Sequence, residues 1–190
     1  MSHPFSLCVY CGSKPGHSPA HVQLARQIGQ WLGEQGHRLV YGGGSSGLMG
    51  IVADATSLSG GQVTGVIPKA LVEKELARTS CDELLIVDTM HERKQAMADR
   101  ADAFLALPGG IGTFEEFFEV WTWRQLGYHN KPIGLLNHHG FYDGLIAFTR
   151  HSLSEGFMGD WQMSLIEIGQ DPLALLEALK TQASSSQSNR

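Results

Sequence analysis

Short apolar runs alternate with longer segments of helical period along almost the whole chain. Seven apolar runs predict strands, at Ser6–Cys11, Arg38–Tyr41, Val63–Ile67, Glu83–Val87, Ala103–Leu107, Pro132–Leu136 and Met163–Ile166. The segments between and after them predict helices, near Ala20–Gln35, Leu48–Leu58, His91–Arg100, Thr113–Leu126, Tyr142–Glu155 and Pro172–Lys180. This alternation is typical of a parallel sheet with helices on both faces. The sequence therefore predicts an α/β, doubly wound fold with a mainly parallel sheet.

The length and the distribution of polar residues predict one domain with a short tail. A chain of 190 residues is long enough for a single large core, and no repeat or linker divides it. We expect this domain to span residues 1–180. The segment from Thr181 to Arg190 is polar throughout, and we expect it to be a disordered tail.

Charge and hydropathy argue against a nucleic-acid or membrane role. The net charge is −5, so nonspecific attraction to nucleic acid or to an anionic membrane surface is not expected. No stretch approaches about 20 continuous apolar residues, and the N-terminus lacks a signal-peptide pattern. The predicted compartment is the cytoplasm.

The cysteines and histidines predict neither a disulfide framework nor a metal site. There are 3 cysteines, an odd number, and Cys8 and Cys11 have C-x-x-C spacing without a second pair to complete a zinc site. Cys8 lies inside an apolar run rather than at a helix start, so we expect buried thiols instead of a redox pair. The 9 histidines form no metal-ligand spacing, and we predict no metal and no cofactor.

Three glycine-rich turns follow predicted strands, at Cys11–Ser13, Tyr41–Gly50 and Pro108–Thr113. In parallel α/β sheets, ligands bind at the carboxyl ends of the strands, where these turns lie. The third turn, Pro-Gly-Gly-Ile-Gly-Thr, opens a helix, so its backbone N–H groups and the helix dipole favour an anion. We therefore predict a phosphate site at Gly109–Thr113.

Two carboxylates, Glu115 and Glu116, follow the phosphate turn directly. Chemistry on a sugar or a water molecule beside the phosphate would explain them. The alternative is a capping box, because Thr113 and Glu116 also have the Ser/Thr-x-x-Glu spacing of a common helix start. In that case Glu116 only satisfies backbone N–H groups.

The segment Gly42–Gly47 matches G-x-G-x-x-G, which raises the alternative of a dinucleotide site. Against it, the motif follows the second predicted strand, and the next strand ends in Ile-Pro-Lys without an acidic residue for a ribose hydroxyl. A mononucleotide held between several turns fits better than NAD(P). Ser13, Gly43 and Gly44 are then further candidates for binding it.

A basic pair, Arg93 and Lys94, opens the helix that follows the fourth predicted strand. Positive charges at a helix start oppose the helix dipole, so we expect these side chains to serve an anion or a carboxylate at the same sheet edge. The alternative is a solvated helix face paired with Glu92 or Asp99.

At these residues the chain resembles the LONELY GUY family of cytokinin riboside 5′-monophosphate phosphoribohydrolases, formerly often labelled lysine decarboxylases. The resemblance rests on P-G-G-x-G-T-x-x-E at Pro108–Glu116 and M-H-x-R-K at Met90–Lys94. Shorter matches run in the same order from about residue 6 to residue 180, at Cys11–Ser13, Tyr41–Gly50, Gly65–Pro68 and Thr122–Gly127.

The resemblance implies a Rossmann-like homodimer that hydrolyses the N-glycosidic bond of a purine riboside 5′-monophosphate. The family's catalytic arginine and glutamate fall on Arg93 and Glu116. Its nucleotide-contacting positions fall on Glu75, Lys94, Gly110, Ile111, Gly112, Thr113, Phe114, Glu115 and Thr122. The chain departs from the family pattern at Ile111, where an aromatic residue is usual, and over Glu73–Leu85, so the preferred base stays open.

The chemistry of such a reaction favours Glu116 over Glu115. Cleaving a ribosyl C1′–N bond builds oxocarbenium-like charge, which a nearby carboxylate stabilises. Thr113 and Glu116 share a helix face, whereas Glu115 is rotated by about 100°. Arg93 would position either the phosphate or Glu116. Two alternatives remain: a nucleotide-binding carrier without turnover, and a pyridoxal-phosphate decarboxylase using Lys94.

Overall fold

The computed structural model describes residues 4–74 and 76–188, which fold around one parallel sheet. Its strands are β1 (Ser6–Tyr10), β2 (Arg38–Tyr41), β3 (Gln62–Pro68), β4 (Glu83–Val87), β5 (Ala103–Ala106), β6 (Ile133–Leu136) and β7 (Glu167–Gly169). The helices are α1 (Pro19–Glu34), α2 (Gly47–Leu58), α3 (Met90–Arg100), α4 (Ile111–Gln125), α5 (Asp143–Ser154), α6 (Asp160–Met163) and α7 (Pro172–Ser188). Two short 3₁₀ turns lie at Lys69–Leu71 and His138–Gly140. The predicted α/β, Rossmann-like fold is confirmed.

The strand order is β4-β3-β2-β1-β5-β6-β7, and every adjacent pair is parallel. The chain winds outward in one direction from β1 to β4 and then returns to the other side of β1 with β5. The connections that leave β1 and β5 therefore diverge at the carboxyl edge of the sheet. Such a switch point opens a crevice for ligands.

Both faces of the sheet are covered along its five inner strands, which explains why these strands read as apolar runs. Alternate residues of β1 enter opposite cores: Leu7 and Val9 lie in one, Cys8 and Tyr10 in the other. The first core is closed by α1, α2 and α7, and the second by α3, α4 and α5. Within the described residues, no helix is both long and apolar enough to cross a membrane.

The last strand does not lie where the sequence pattern predicts it. The predicted strand Met163–Ile166 covers the end of α6 and the turn after it, while β7 lies at Glu167–Gly169. The turn packs on α4, because Arg124 Nη1 donates to the Leu165 carbonyl at 2.7 Å. The side chains of Met163, Leu165 and Ile166 belong to the same apolar core as residues of α4. A run that buries its apolar side chains in this way resembles a buried strand in sequence.

The last helix extends past its predicted end at Lys180 and continues to Ser188, into the segment from Thr181 for which a disordered tail is predicted. Leu176, Leu179 and Ala183 extend its buried face. The hydroxyls of Ser184, Ser185 and Ser186 each bond to the carbonyl four residues earlier, so these serines remain in helical conformation.

Candidate active site

A cavity of about 250 Å³ lies at the carboxyl edge of the sheet, beside the ends of β1 and β5. Five parts of the chain meet there: the turn after β1, the segment after β3, and the first turns of α2, α3 and α4. The lining residues are Cys11, Gly12, Ser13, Met49, Leu71, Met90, Arg93, Gly110, Ile111, Gly112, Thr113, Glu115 and Glu116. The fold thus brings both predicted catalytic residues and most of the predicted phosphate turn to one place.

The start of α4 offers backbone donors to this cavity. Gly110 is the N-cap, and no side chain of the described residues caps this helix end. The amides of Ile111, Gly112 and Thr113 have no carbonyl acceptor within the helix, whose first regular bond runs from the Phe114 N–H to the Gly110 oxygen at 3.1 Å. The helix dipole adds partial positive charge here, so an anion is the ligand this end favours.

The capping-box alternative for Glu116 is wrong. Because Gly110 is the N-cap, Thr113 is the third residue of α4 and Glu116 the sixth, so neither occupies its place in a capping box. The box lies instead on α3, where the Glu92 N–H donates to Thr89 Oγ1 and the Thr89 N–H donates to Glu92 Oε2, each at 3.1 Å. Glu116 is therefore a half-buried side chain of the cavity wall.

The surroundings of Glu116 include the end of β1. Burial is the main reason that the pKa of the Cys11 thiol lies above its usual value, and the negative charge of Glu116 raises that pKa further. The pKa of Cys8 is raised in the same way, first by burial. Both thiols therefore stay protonated and are poor nucleophiles or redox groups, as predicted for buried cysteines.

Arg93 is held rigidly in the cavity wall and is only 4% exposed. Its Nε donates to the Val66 carbonyl at 3.1 Å, and its Nη2 donates to the Gly42 carbonyl at 2.7 Å. These two bonds fix the guanidinium against the ends of β3 and β2. A side chain at Gly42 would overlap the guanidinium, so this glycine of the G-x-G-x-x-G segment makes room for Arg93.

Lys94 has a different role from Arg93 and is 8% exposed. Its Nζ lies 2.5 Å from Glu115 Oε1 and 3.0 Å from Glu119 Oε1, so it joins α3 to α4. Burial alone would lower the pKa of Lys94, but the hydrogen bonds to the two glutamates outweigh it and raise that pKa. A lysine held charged in this way is a poor Schiff-base nucleophile.

The alternative of a solvated basic face on α3 is also wrong, because Arg93 and Lys94 are both buried. Its two proposed partners are engaged elsewhere: Glu92 forms the capping box, and Asp99 accepts a bond from Gln95 at 2.7 Å.

Several predicted binding residues lie away from the cavity. Gly43 and Gly44 are buried. Gly44 forms a β-bridge with Ala77, and the Arg78 N–H donates to the Gly43 carbonyl at 2.8 Å. Thr122 lies eleven residues after Ile111, about 16 Å further along the helix axis. Glu75 lies outside the described residues.

Two other predicted binding residues, Gly109 and Phe114, contact neighbouring residues and do not line this cavity. Gly109 lies directly under the Thr113 side chain, which leaves no space for a Cβ atom at this position. Phe114 packs edge-on against Tyr142, with ring centroids 6.2 Å apart.

One wall of the cavity is apolar and is formed by Met49, Leu71 and Met90. These three residues are not among those predicted from the sequence to form the site. Met49 and Met90 lie within the motifs Tyr41–Gly50 and Met90–Lys94, but the interpretation of those motifs rests on their glycines and charged residues. Across the 4–74 and 76–188 ranges, no group of three or more His, Cys, Asp or Glu residues is arranged to hold a metal ion.

A second cavity of about 600 Å³ opens on the other side of the Gly12–Ser13 turn. Its walls include Lys14, His21 and Phe141.

Comparison with known proteins identifies the family. Residues 49–179 match the family model described as possible lysine decarboxylase. A cytokinin riboside 5′-monophosphate phosphoribohydrolase of Arabidopsis thaliana is 46% identical over 174 residues, which are 92% of this chain and 82% of that protein. The chain belongs to the LONELY GUY family. A second relative with the same enzyme name, from Oryza sativa subsp. japonica, is 51% identical over 81% of this chain and 64% of its own length.

Solved structures with the same fold have lower sequence identity to this chain than these relatives. The molybdenum cofactor carrier protein of Chlamydomonas reinhardtii superposes with a TM-score of 0.71 at 19% identity, over 96% of this chain and 99% of that one. The molybdenum cofactor binding protein of Rippkaea orientalis gives 0.70 at 18% identity, over 95% and 98%. These similarities concern the fold alone.

Proposed function

We propose that this family member hydrolyses the N-glycosidic bond of adenosine 5′-monophosphate or its N6-modified forms, releasing the free base and ribose 5-phosphate. Its relatives at 46% and 51% identity carry the name of that activity. The observation that best supports it is that Glu116, Arg93 and the uncapped start of α4 line the same cavity.

The phosphate would bind at the amides of residues 111–113, where the helix dipole favours negative charge. Glu116 lies one helical turn beyond Thr113 on the same face, about 5 Å along the axis. A ribose attached to the phosphate would therefore lie beside this carboxylate. The purine would contact the apolar wall of Met49, Leu71 and Met90.

The reaction itself needs charge stabilisation and one water molecule. The C1′–N9 bond breaks with its electron pair moving to the base, which leaves as it takes up a proton. Water adds to C1′ and gives up a proton. Glu116 stabilises the oxocarbenium-like charge and orients this water, while the immobile Arg93 positions the phosphate or Glu116.

We further propose that the protein works as a homodimer. Two surface cavities between α3 and α4 share Gln95, Asp99 and Trp123 and form one groove that a second copy could cover. Thr122 is exposed on α4 and too far from its own cavity to contact a ligand there. We propose that in such a dimer the family's Thr122 contact is made to the partner's ligand.

The reaction is tested by incubating the protein with AMP and with N6-isopentenyl-AMP and separating the products by chromatography. We expect free base and ribose 5-phosphate, and poor turnover of adenosine because it lacks the phosphate. Intact nucleotide together with measurable binding would support the carrier alternative instead. Pyridoxal phosphate and lysine should yield no cadaverine, because Lys94 is held by Glu115 and Glu119.

A further inference from the structure

A buried tyrosine lies beneath the turn that carries the proposed phosphate site. Tyr142 precedes α5, and its hydroxyl donates to the Leu107 carbonyl at 2.6 Å. Leu107 directly precedes the Pro-Gly-Gly turn, and its own N–H donates to the Tyr10 carbonyl at 2.9 Å. The backbone entering the turn is therefore fixed at both its amide and its carbonyl.

The same tyrosine also contacts the far side of the turn. Its ring meets Phe114, in the first turn of α4, edge-on at a centroid distance of 6.2 Å and an angle of 71°. The residue before the turn and the helix after it thus rest on one side chain. Burial raises the pKa of the Tyr142 hydroxyl, so it stays protonated and keeps donating.

Tyr142 is itself held by the strands at the far edge of the sheet. Its N–H donates to Asn137 Oδ1 at 2.7 Å, and Asn137 Nδ2 donates to Asp143 Oδ1 at 2.8 Å. The Asn137 N–H donates to the Gly169 carbonyl of β7 at 2.8 Å. A hydrogen-bonded chain therefore connects the β6–β7 edge with the turn between β5 and α4.

We propose that Tyr142 is a positioning residue that sets the Gly109–Thr113 turn for the phosphate. This inference rests on the proposed function, since it requires the turn to bind phosphate. Binding by several backbone N–H groups depends on their mutual placement, and the three glycines of the turn leave the backbone free to move. The Leu107 carbonyl and the Phe114 ring are the points from which Tyr142 limits that movement.

The test is Tyr142→Phe, which removes the hydroxyl and keeps the ring. We expect the Kd of ribose 5-phosphate and the KM of AMP to rise roughly five- to tenfold, the effect of one lost hydrogen bond, with kcat little changed. Calorimetry gives the Kd, and steady-state kinetics give KM and kcat. Asn137→Ala, which removes the acceptor of the Tyr142 N–H, should raise the same Kd by a smaller factor.

The matched control is Tyr41→Phe. Tyr41 is also fully buried, but its hydroxyl lies 3.8 Å from the Cys81 sulfur, on the opposite face of the sheet. This variant should leave Kd and KM unchanged. A Tyr142→Phe protein with lowered Tm but wild-type Kd and KM would show a purely structural role and overturn the inference. If the wild type binds AMP without hydrolysing it, the proposed reaction fails, and the Kd comparison still decides the role of Tyr142.

Discussion

At the scale of single residues, two adjacent glutamates at the start of α4 have different surroundings. Glu115 points to α3, where it pairs with Lys94 at 2.5 Å. Glu116 is half-buried in the cavity wall, near the end of β1. The rotation of about 100° between neighbouring helix positions separates the two carboxylates. Both glutamates line the cavity, but Glu115 also joins two helices through Lys94.

The first prediction concerns Glu116→Gln. This change keeps the size of the side chain and removes its charge, so we expect kcat to fall by about 10²-fold or more with Tm nearly unchanged. Steady-state kinetics and thermal denaturation measure the two effects. Glu115→Gln is the comparison and should affect Tm more than kcat. A folded Glu116→Gln protein with wild-type kcat would remove Glu116 from the reaction.

The second prediction concerns Gly112→Ala. Gly112 is the second residue of α4, and apart from its chain neighbours and the adjacent helix backbone, no heavy atom of the described residues lies within 4 Å of the position a Cβ would take. Alanine favours a helix, so Tm should stay the same or rise slightly. The added methyl group projects into the proposed phosphate site, so the Kd of AMP should rise.

The control for this change is Gly144→Ala. Gly144 is the second residue of α5 and has equally open surroundings, but it lies outside both cavities at the sheet edge. Its Kd for AMP should match that of the wild type. Equal Kd values for the wild type and both alanine variants would argue against phosphate at the start of α4.

At the scale of elements, the segment between α4 and β6 depends on a neutral histidine. His129 Nε2 donates to the Val120 carbonyl at 2.9 Å, while its Nδ1 accepts from the Lys131 N–H at 3.1 Å. This pattern requires the neutral ring. Burial is the main reason that the pKa of His129 falls from 6.5 to about 4, and the charges of Lys131 and Arg124 lower it further.

The third prediction is a pH dependence of stability that comes from His129. Between pH 6.5 and about 4, the unfolded chain binds a proton on this ring that the folded chain does not. The free energy of unfolding should therefore fall as the pH drops through this range. His129→Gln should be less stable at pH 7 but should lose less stability on acidification. Parallel curves of unfolding free energy against pH would contradict this assignment.

At the scale of the whole molecule, the sheet order places the site and the groove on neighbouring surfaces. The switch point at β1 creates the cavity, and the helices α3 and α4 that enclose one side of it also form the groove. Tyr128 is 74% exposed at the end of this groove. A second copy on this face would therefore cover apolar surface close to the site.

The fourth prediction is a homodimer through that groove. Light scattering after gel filtration should give about twice the 20.7 kDa of one chain. Tyr128→Glu adds a charge within the groove and should shift the protein toward the monomer. Phe148→Glu is the control, because Phe148 is 67% exposed on α5, outside the groove. A wild-type monomer, or an unaffected Tyr128→Glu dimer, would refute this interface.

Local chemistry explains what the sequence alone determined about this protein. The strands at Arg38–Tyr41 and Glu83–Val87 have the predicted bounds, because each short apolar run is bordered by glycine or polar residues that end it. The glycine turn at Pro108–Thr113 and the grouping of Arg93 with Glu116 followed from the same reasoning. Turns that follow parallel strands must lie at one edge of the sheet, whatever the details of packing.

Tertiary structure alone decided the features that depend on distant partners. The Thr113–Glu116 spacing permits a capping box, and only the position of the N-cap at Gly110 excludes it. The run Met163–Ile166 packs on α4 instead of joining the sheet, since apolar residues do not specify which surface buries them. Lys94 faces two glutamates of another helix, and Tyr142 holds a carbonyl 35 residues earlier in the chain. Such contacts join segments far apart in sequence, so they exist only once the sheet has brought those segments together.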